Sequence, residues 1–257
     1  ASAALGRVLT GTLLLGSSLK DFDRLTVRIE CDGAIEGIVA ETNAQGKVRG
    51  YVRNPLAESK GNMVDVKEII GKGMFHVIRE AGFDVGLYRD PYHGSVPLYT
   101  GEIGDDFAYY LLKSEQIPSA VLLGVALQSE APYIKAAGGV MLQIMPGANE
   151  HLITMIEDTI AHAPHLTKLI SEGAAPEDLV KMALGIIDYE ILDEREVEFK
   201  CSCSPERAAA LIASLGKAEV ESMLNEDKGA EMTCGFCNQT YHLDEAQLQE
   251  IIDSLSN

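Results

Sequence analysis

Cys201-Ser202-Cys203, thirty residues, then Cys234-Gly235-Phe236-Cys237: this stretch holds four of the five cysteines, in two tight pairs within 37 residues. A Cys-x-x-Cys turn puts two sulfurs on one side of a knuckle. A Cys-x-Cys at a strand end does the same, because residues two apart point to one face. Together they offer four thiolates to one ion, the closed tetrahedral shell that structural zinc favours. A double pair is far more specific than a single Cys-x-x-Cys. The competing reading is a dithiol redox centre at Cys234 and Cys237. His242 is a conceivable substitute ligand, but with four sulfurs at hand it reads as a surface or packing histidine. Cys31 stands apart and reads as a small core or turn residue with no assigned chemistry.

The residues around the pairs outline a small α+β module over 196–257. Glu196 to Cys201 reads as a strand with Val197, Phe199 and Cys201 on one face. Ser204-Pro205-Glu206 opens a helix with Ala208, Leu211, Ile212 and Leu215 inward, and a second helix carries Val220, Met223 and Leu224. Cys234 to Tyr241 has the look of a hairpin knuckle. The last helix has Asp244 as its cap, Gln247 reaching back, and Leu243 stapled to Leu248. Domains of about sixty residues bury little surface and often need a metal or disulfides.

Residues 149–195 read as helix in short pieces. Asn149 caps a segment with Leu152, Ile153, Ile156 and Ile160 on one face, and two pieces of about two turns follow, at 165–172 and from Pro176 to Gly185. Isolated helices below ~12–15 residues are marginal in water, so these must dock their apolar sides elsewhere. This linker is expected to be the least stable part of the chain.

Residues 1–148 read as an antiparallel-rich sheet and helix core domain. The opening helix to Ser18 is too apolar for a surface, and without an initiator Met the chain is expected to be processed or to begin inside a longer protein. Leu25 to Glu30, Ile35 to Ala40 and Lys47 to Arg53 alternate like strands with one buried face. Arg24, Arg28, Lys47, Arg49 and Arg53 make a basic stripe on paper, but Glu30, Glu36 and Glu41 interrupt it, favouring a solvated sheet face. Gly71-Lys72-Gly73 lacks the glycine-to-lysine spacing of a phosphate loop. Phe75 to Ile78 reads as a further strand. Asp105 and Asp106 suit the first turn of a helix over 107–116 better than a metal or catalytic pair. Ala120 to Leu127 and Gly139 to Met145 are apolar runs expected to be strands buried on both sides.

Composition narrows the function. Hydrophobic residues make up 46%, enough for a core, and no apolar run approaches the ~18 residues a membrane span needs. Residues 1–149 carry 14 Lys/Arg against 17 Asp/Glu, whereas residues 150–257 carry 7 against 22, so most of the net charge of −18 lies in the cysteine half. A duplex bears one negative charge per ~1.7 Å, and such a surface would be repelled by nucleic acid. Clustered, odd-numbered cysteines fit a reducing, cytoplasmic location. His76, His93, His151, His162 and His165 are scattered, and residues 1–149 offer no nucleophile–base set, no dinucleotide-loop glycines and no open metal site. This argues against a zinc-bearing metabolic enzyme.

With these motifs in view the chain resembles the redox-regulated heat-shock chaperone family, the 33 kDa chaperonins. The resemblance rests on Ser2-Ala-Ala-Leu-Gly-Arg7, Gly101-Glu-Ile-Gly-Asp-Asp-Phe107, Ser114-Glu-Gln-Ile-Pro-Ser119, Ala137-Gly-Gly139, Leu142-Gln-Ile-Met-Pro-Gly147 and the spacing of the cysteine pairs. It implies a non-enzymatic, ATP-independent holdase that binds unfolded or partly folded client proteins under oxidative and heat stress. It further implies one zinc ion on Cys201, Cys203, Cys234 and Cys237, and inactivity in that reduced state. Activation would follow from disulfides Cys201–Cys203 and Cys234–Cys237, zinc release, linker unfolding and homodimerisation. The alternative is a thiol oxidoreductase at Cys234 and Cys237, which needs a metal-free cysteine of low pKa.

Overall fold

The computed structural model describes residues 1–20, 23–61, 65–81 and 90–255. The fold is α+β, and the chain divides into two compact units, Ala1–Phe199 and Lys200–Asn257.

The first unit begins with α1 (Ser2–Leu15), followed by a short 3-10 turn. Strands β1 (Arg24–Cys31), β2 (Gly37–Asn43) and β3 (Lys47–Val52) come next. A short helix α2 (Val66–Ile70) leads into β4 (Gly73–Glu80) and β5 (Tyr92–Pro97). Pairing is antiparallel from β5 through β4, β1 and β2 to β3. Along β1, Leu25, Val27 and Ile29 are buried while the residues between them are not, as the alternation requires. On the other face Arg49 makes a double hydrogen bond to the Glu41 carboxylate (2.8 and 2.9 Å) and Arg28 pairs with Glu30, so acids within the stripe pair two of its basic residues. Gly71 ends α2 at a φ of +70°, which explains the glycine there without any phosphate.

Helix α3 (Gly104–Lys113) starts three residues earlier than the sequence suggests. The cause is Asp106. Its carboxylate is 1% exposed and accepts hydrogen bonds from the backbone N–H groups of Tyr99, Thr100, Gly101 and Ile103. The neighbouring Asp105 accepts from the Thr100 hydroxyl. Both acids therefore organise the loop and the helix start. Phe107 then meets Phe75 edge to face, with ring centroids 4.8 Å apart.

Strands β6 (Ser119–Leu127) and β7 (Ile134–Gln143) form a separate antiparallel hairpin, covered on both faces. Helix α1 packs between this hairpin and the larger sheet, which accounts for a helix apolar on every side. A side chain at Gly11 would run into the Phe107 ring, so this close approach requires glycine. The hairpin's outer face is covered by α5 (Leu166–Ser171) and α6 (Pro176–Leu184), which follow α4 (Glu150–His162). Leu166, Ile170, Leu179 and Ala183 join Ala126 and Val140 in a second small core. α4 has no fully buried residue. Its apolar side instead lines a cavity of about 770 Å³, where Ile153, Ile156 and Ile160 face Tyr109, Leu112 and Leu142.

The strand expected over 196–201 is much shorter. β8 is only Glu198–Phe199, and it pairs in parallel with β3 through Lys47 and Val48. Val197 and Phe199 stay more than half exposed, so their alternation does not mark a buried face.

The second unit comprises α7 (Pro205–Ala213), α8 (Lys217–Glu226), the hairpin of β9 (Gly229–Thr233) and β10 (Thr240–Asp244), and α9 (Glu245–Ser254). Its core is small: Ile212, Val220, Leu243, Leu248, Ile251 and Ile252. Of the four residues expected inward on α7, Ala208 and Ile212 are buried, while Leu211 and Leu215 are exposed. A helix this short presents only one narrow stripe to so small a partner. Asp244 and Gln247 form the reciprocal cap of α9 (2.9 and 3.0 Å). Among the described residues no helix is long and apolar enough to cross a membrane.

Asp106→Ala strands four backbone N–H groups at a buried loop. Urea unfolding of the variant is expected to show a loss of about 3 kcal/mol with an unchanged slope.

Candidate metal centre

Two local structures present the cysteines. Cys234 and Cys237 sit in the knuckle joining β9 to β10. The Cys234 N–H donates to the Gln239 carbonyl (2.9 Å), the Asn238 N–H donates to the Cys234 carbonyl (2.9 Å), and Asn238 takes a left-handed φ of +57° to close the turn. Cys201 and Cys203 lie just ahead of α7, whose cap Ser204 accepts from the Arg207 N–H (3.2 Å). The Arg207 guanidinium also donates to the Ser202 carbonyl and hydroxyl (3.0 and 2.9 Å), holding the residue between the two cysteines.

The structure brings all four predicted cysteines together. Their sulfurs lie within 4.8 Å of one another, with Cys201 to Cys234 at 3.7 Å and Cys203 to Cys237 at 3.4 Å. Four sulfurs each about 2.3 Å from a tetrahedral ion would stand about 3.8 Å apart. The donor set and spacing therefore fit a tetrathiolate site. None of the five cysteines is in a disulfide; Cys201, Cys203 and Cys234 are half-buried and Cys237 is exposed.

Crowding also affects protonation. The Gln239 backbone N–H favours the Cys237 thiolate, but hydrogen bonding among the thiols, led by Cys203, together with desolvation, outweighs it and leaves Cys237 pushed up to about 12. Four such groups ionise together only if a cation compensates them.

His242 does not join the cluster: its ring is exposed and lies 3.3 Å from Glu231. Cys31 is at the end of β1, where burial pushes its thiol up and makes it less reactive. Two neighbours had no sequence signal. Arg207 falls inside the helix expected from Ser204, and Tyr241 at the end of the expected hairpin knuckle. Yet the Tyr241 hydroxyl donates to Cys203 Sγ (3.1 Å), and this bond with desolvation pushes the phenol up to about 12, so it remains a donor at neutral pH.

Comparison with known proteins places the chain in a family. The family model described as "Hsp33 protein" matches residues 1–244. The chain belongs to the Hsp33 family. A 33 kDa chaperonin of Enterococcus faecalis is 42% identical over 256 residues, covering 98% of this chain and 84% of the relative. One from Desulforamulus reducens is 43% identical over 255 residues, with 98% and 85% covered. The crystal structure of the 33 kDa chaperonin from Thermotoga maritima superposes with a TM-score of 0.84 at 35% identity, covering 98% of this chain and 85% of that one. Membership supports a chaperone function, and with it the binding of unfolded proteins.

Reduced protein is expected to hold one zinc ion per chain and to shield four thiols from alkylation until a strong chelator is added. Cys237→Ser should lose most of the metal under the same chelator, measured by atomic absorption.

Proposed function

We propose that the protein is a redox-regulated, ATP-independent holdase. Reduced and zinc-bound, it is inactive; oxidised, it binds unfolding proteins and keeps them from aggregating under oxidative and heat stress. The observation that carries this reading is the gathering of four half-buried or exposed thiols at the heart of a unit with a very small core.

The ligands would be Cys201, Cys203, Cys234 and Cys237. When bound, zinc supplies the charge that lets four thiolates coexist, and in small zinc peptides roughly 10–16 kcal/mol of folding free energy, as much as a whole domain's stability. A cysteine thiolate attacks one oxygen of hydrogen peroxide and breaks the O–O bond. The sulfur becomes a sulfenic acid and the other oxygen leaves as hydroxide, which takes up a proton. A neighbouring thiol then attacks that sulfur, forming the S–S bond and releasing a second water. Per pair, two thiols and one peroxide become one disulfide and two waters.

The disulfides proposed are Cys201–Cys203 and Cys234–Cys237. Cys201 with Cys234 and Cys203 with Cys237 are near neighbours from opposite pairs, and a bond across them would keep the α7 segment tied to the hairpin. Bonds within the pairs remove the ligands and leave no tie, so the unit loses its fold.

Residues 149–195 would be the metastable linker, between a core domain of residues 1–148 and the redox module of 196–257. α5 and α6 hold to the β6–β7 hairpin through few buried side chains, and such segments open first. Beyond them Ile186 and Leu192 are 88% and 87% exposed. Undocking adds Leu166, Ile170, Leu179 and the hairpin face to this apolar surface, which then serves clients and homodimer formation. The role is binding rather than catalysis, in the reducing cytoplasm where these thiols stay ready. The oxidoreductase alternative needs a low-pKa thiol in the Cys234–Cys237 pair, whereas Cys237 is shifted up.

Zinc-loaded protein treated with peroxide at elevated temperature should release its metal and suppress light scattering by a thermally aggregating client. Equal suppression before and after oxidation would refute the switch. A Cβ added at Gly124 would come within 3.0 Å of the Leu166 side chain and the Thr167 backbone nitrogen, leaving little room for a larger side chain. Gly124→Val should therefore loosen α5 and give partial suppression without oxidant.

A further inference from the structure

Tyr241 is on β10, opposite Met232 of β9, four residues past Cys237. Its hydroxyl leaves the hairpin that carries one cysteine pair and reaches Cys203 of the other pair at 3.1 Å. The bond thus crosses between the two halves of the centre and ends on a sulfur that the metal would also use. A phenol O–H is a donor to a thiolate. It draws electron density from the sulfur, lowering its nucleophilicity, and fixes its orientation. Groups of this kind around metal ligands typically tune affinity by 10–100-fold. A disulfide sulfur is a much poorer acceptor, so the contact weakens when Cys203 is oxidised.

We propose that Tyr241 is a positioning residue of the metal centre: its hydroxyl bond to the Cys203 thiolate tightens metal binding and raises the oxidant exposure needed to discharge the ion. The proposal rests on the zinc switch above and adds a residue that sets its threshold.

Tyr241→Phe removes the oxygen and keeps the ring. Compared with the parent, the variant is expected to bind zinc about 10-fold more weakly in chelator competition under reducing conditions. At fixed peroxide it should release zinc several-fold faster, followed with a metallochromic dye. In the cobalt-substituted protein the sulfur-to-cobalt charge-transfer band should move to lower energy, which loss of packing alone would not produce. Should Tyr241→Phe fold poorly, 3-fluorotyrosine incorporated at position 241 decides the matter. It is a stronger donor of nearly the same shape, and both affinity and release rate should shift the opposite way. Unchanged affinity, release rate and cobalt band, in a parent that does discharge zinc on oxidation, overturn the role of Tyr241 alone. A parent that binds no zinc overturns the switch and this proposal together.

Discussion

Four sulfur atoms crowded within 4.8 Å of one another are the constraint on which the second unit depends. As thiolates they repel, and as thiols they leave one another poorly hydrogen-bonded in a partly dehydrated place. A divalent cation resolves both problems, because its charge offsets theirs and its bonds replace the lost solvation. The surrounding peptide is arranged for this. The knuckle closed by Asn238, the α7 start capped by Ser204 and the Arg207 clamp on Ser202 bring the pairs together from sequence positions more than thirty residues apart. What remains to hold the unit is a handful of aliphatic side chains, which is little for its length.

The first unit is built differently. A continuous core runs from α1 through the sheet to Phe75 and Phe107, with Asp106 fastening the loop beside it. Its outer face has a weaker layer: α5 and α6 on the β6–β7 hairpin, and α4 over a cavity rather than a packed face. Stability is therefore graded along the molecule. The proposed switch needs such grading, since parts that respond must lie closer to their unfolding threshold than the part that endures.

Much of this was legible from residue patterns. Alternation at Leu25, Val27 and Ile29 placed a strand with one buried face, and Pro176 and Gly185 bracketed α6 correctly. The cysteine spacing brought the four sulfurs to one point. Three features escaped because they depend on partners far away in sequence. Val197 and Phe199 alternate like a buried strand, but β8 is a short edge addition to β3 that leaves them exposed. Leu211 lies on α7 outside the stripe that its partners cover, and Leu215 falls beyond the helix, which ends at Ala213, so both are exposed. Tyr241 looks like any strand aromatic, and only the folded hairpin shows its hydroxyl aimed at Cys203.

The central claim is that thiolate-bound metal, rather than the aliphatic core, keeps residues 200–255 folded. Hydrogen–deuterium exchange on reduced protein, with metal and after chelator stripping, tests this without any oxidant. Loss of protection across α7, α8 and α9 on stripping, with β1, β2 and β4 still protected, is the result the account predicts. Equal protection of α7–α9 with and without metal would contradict it.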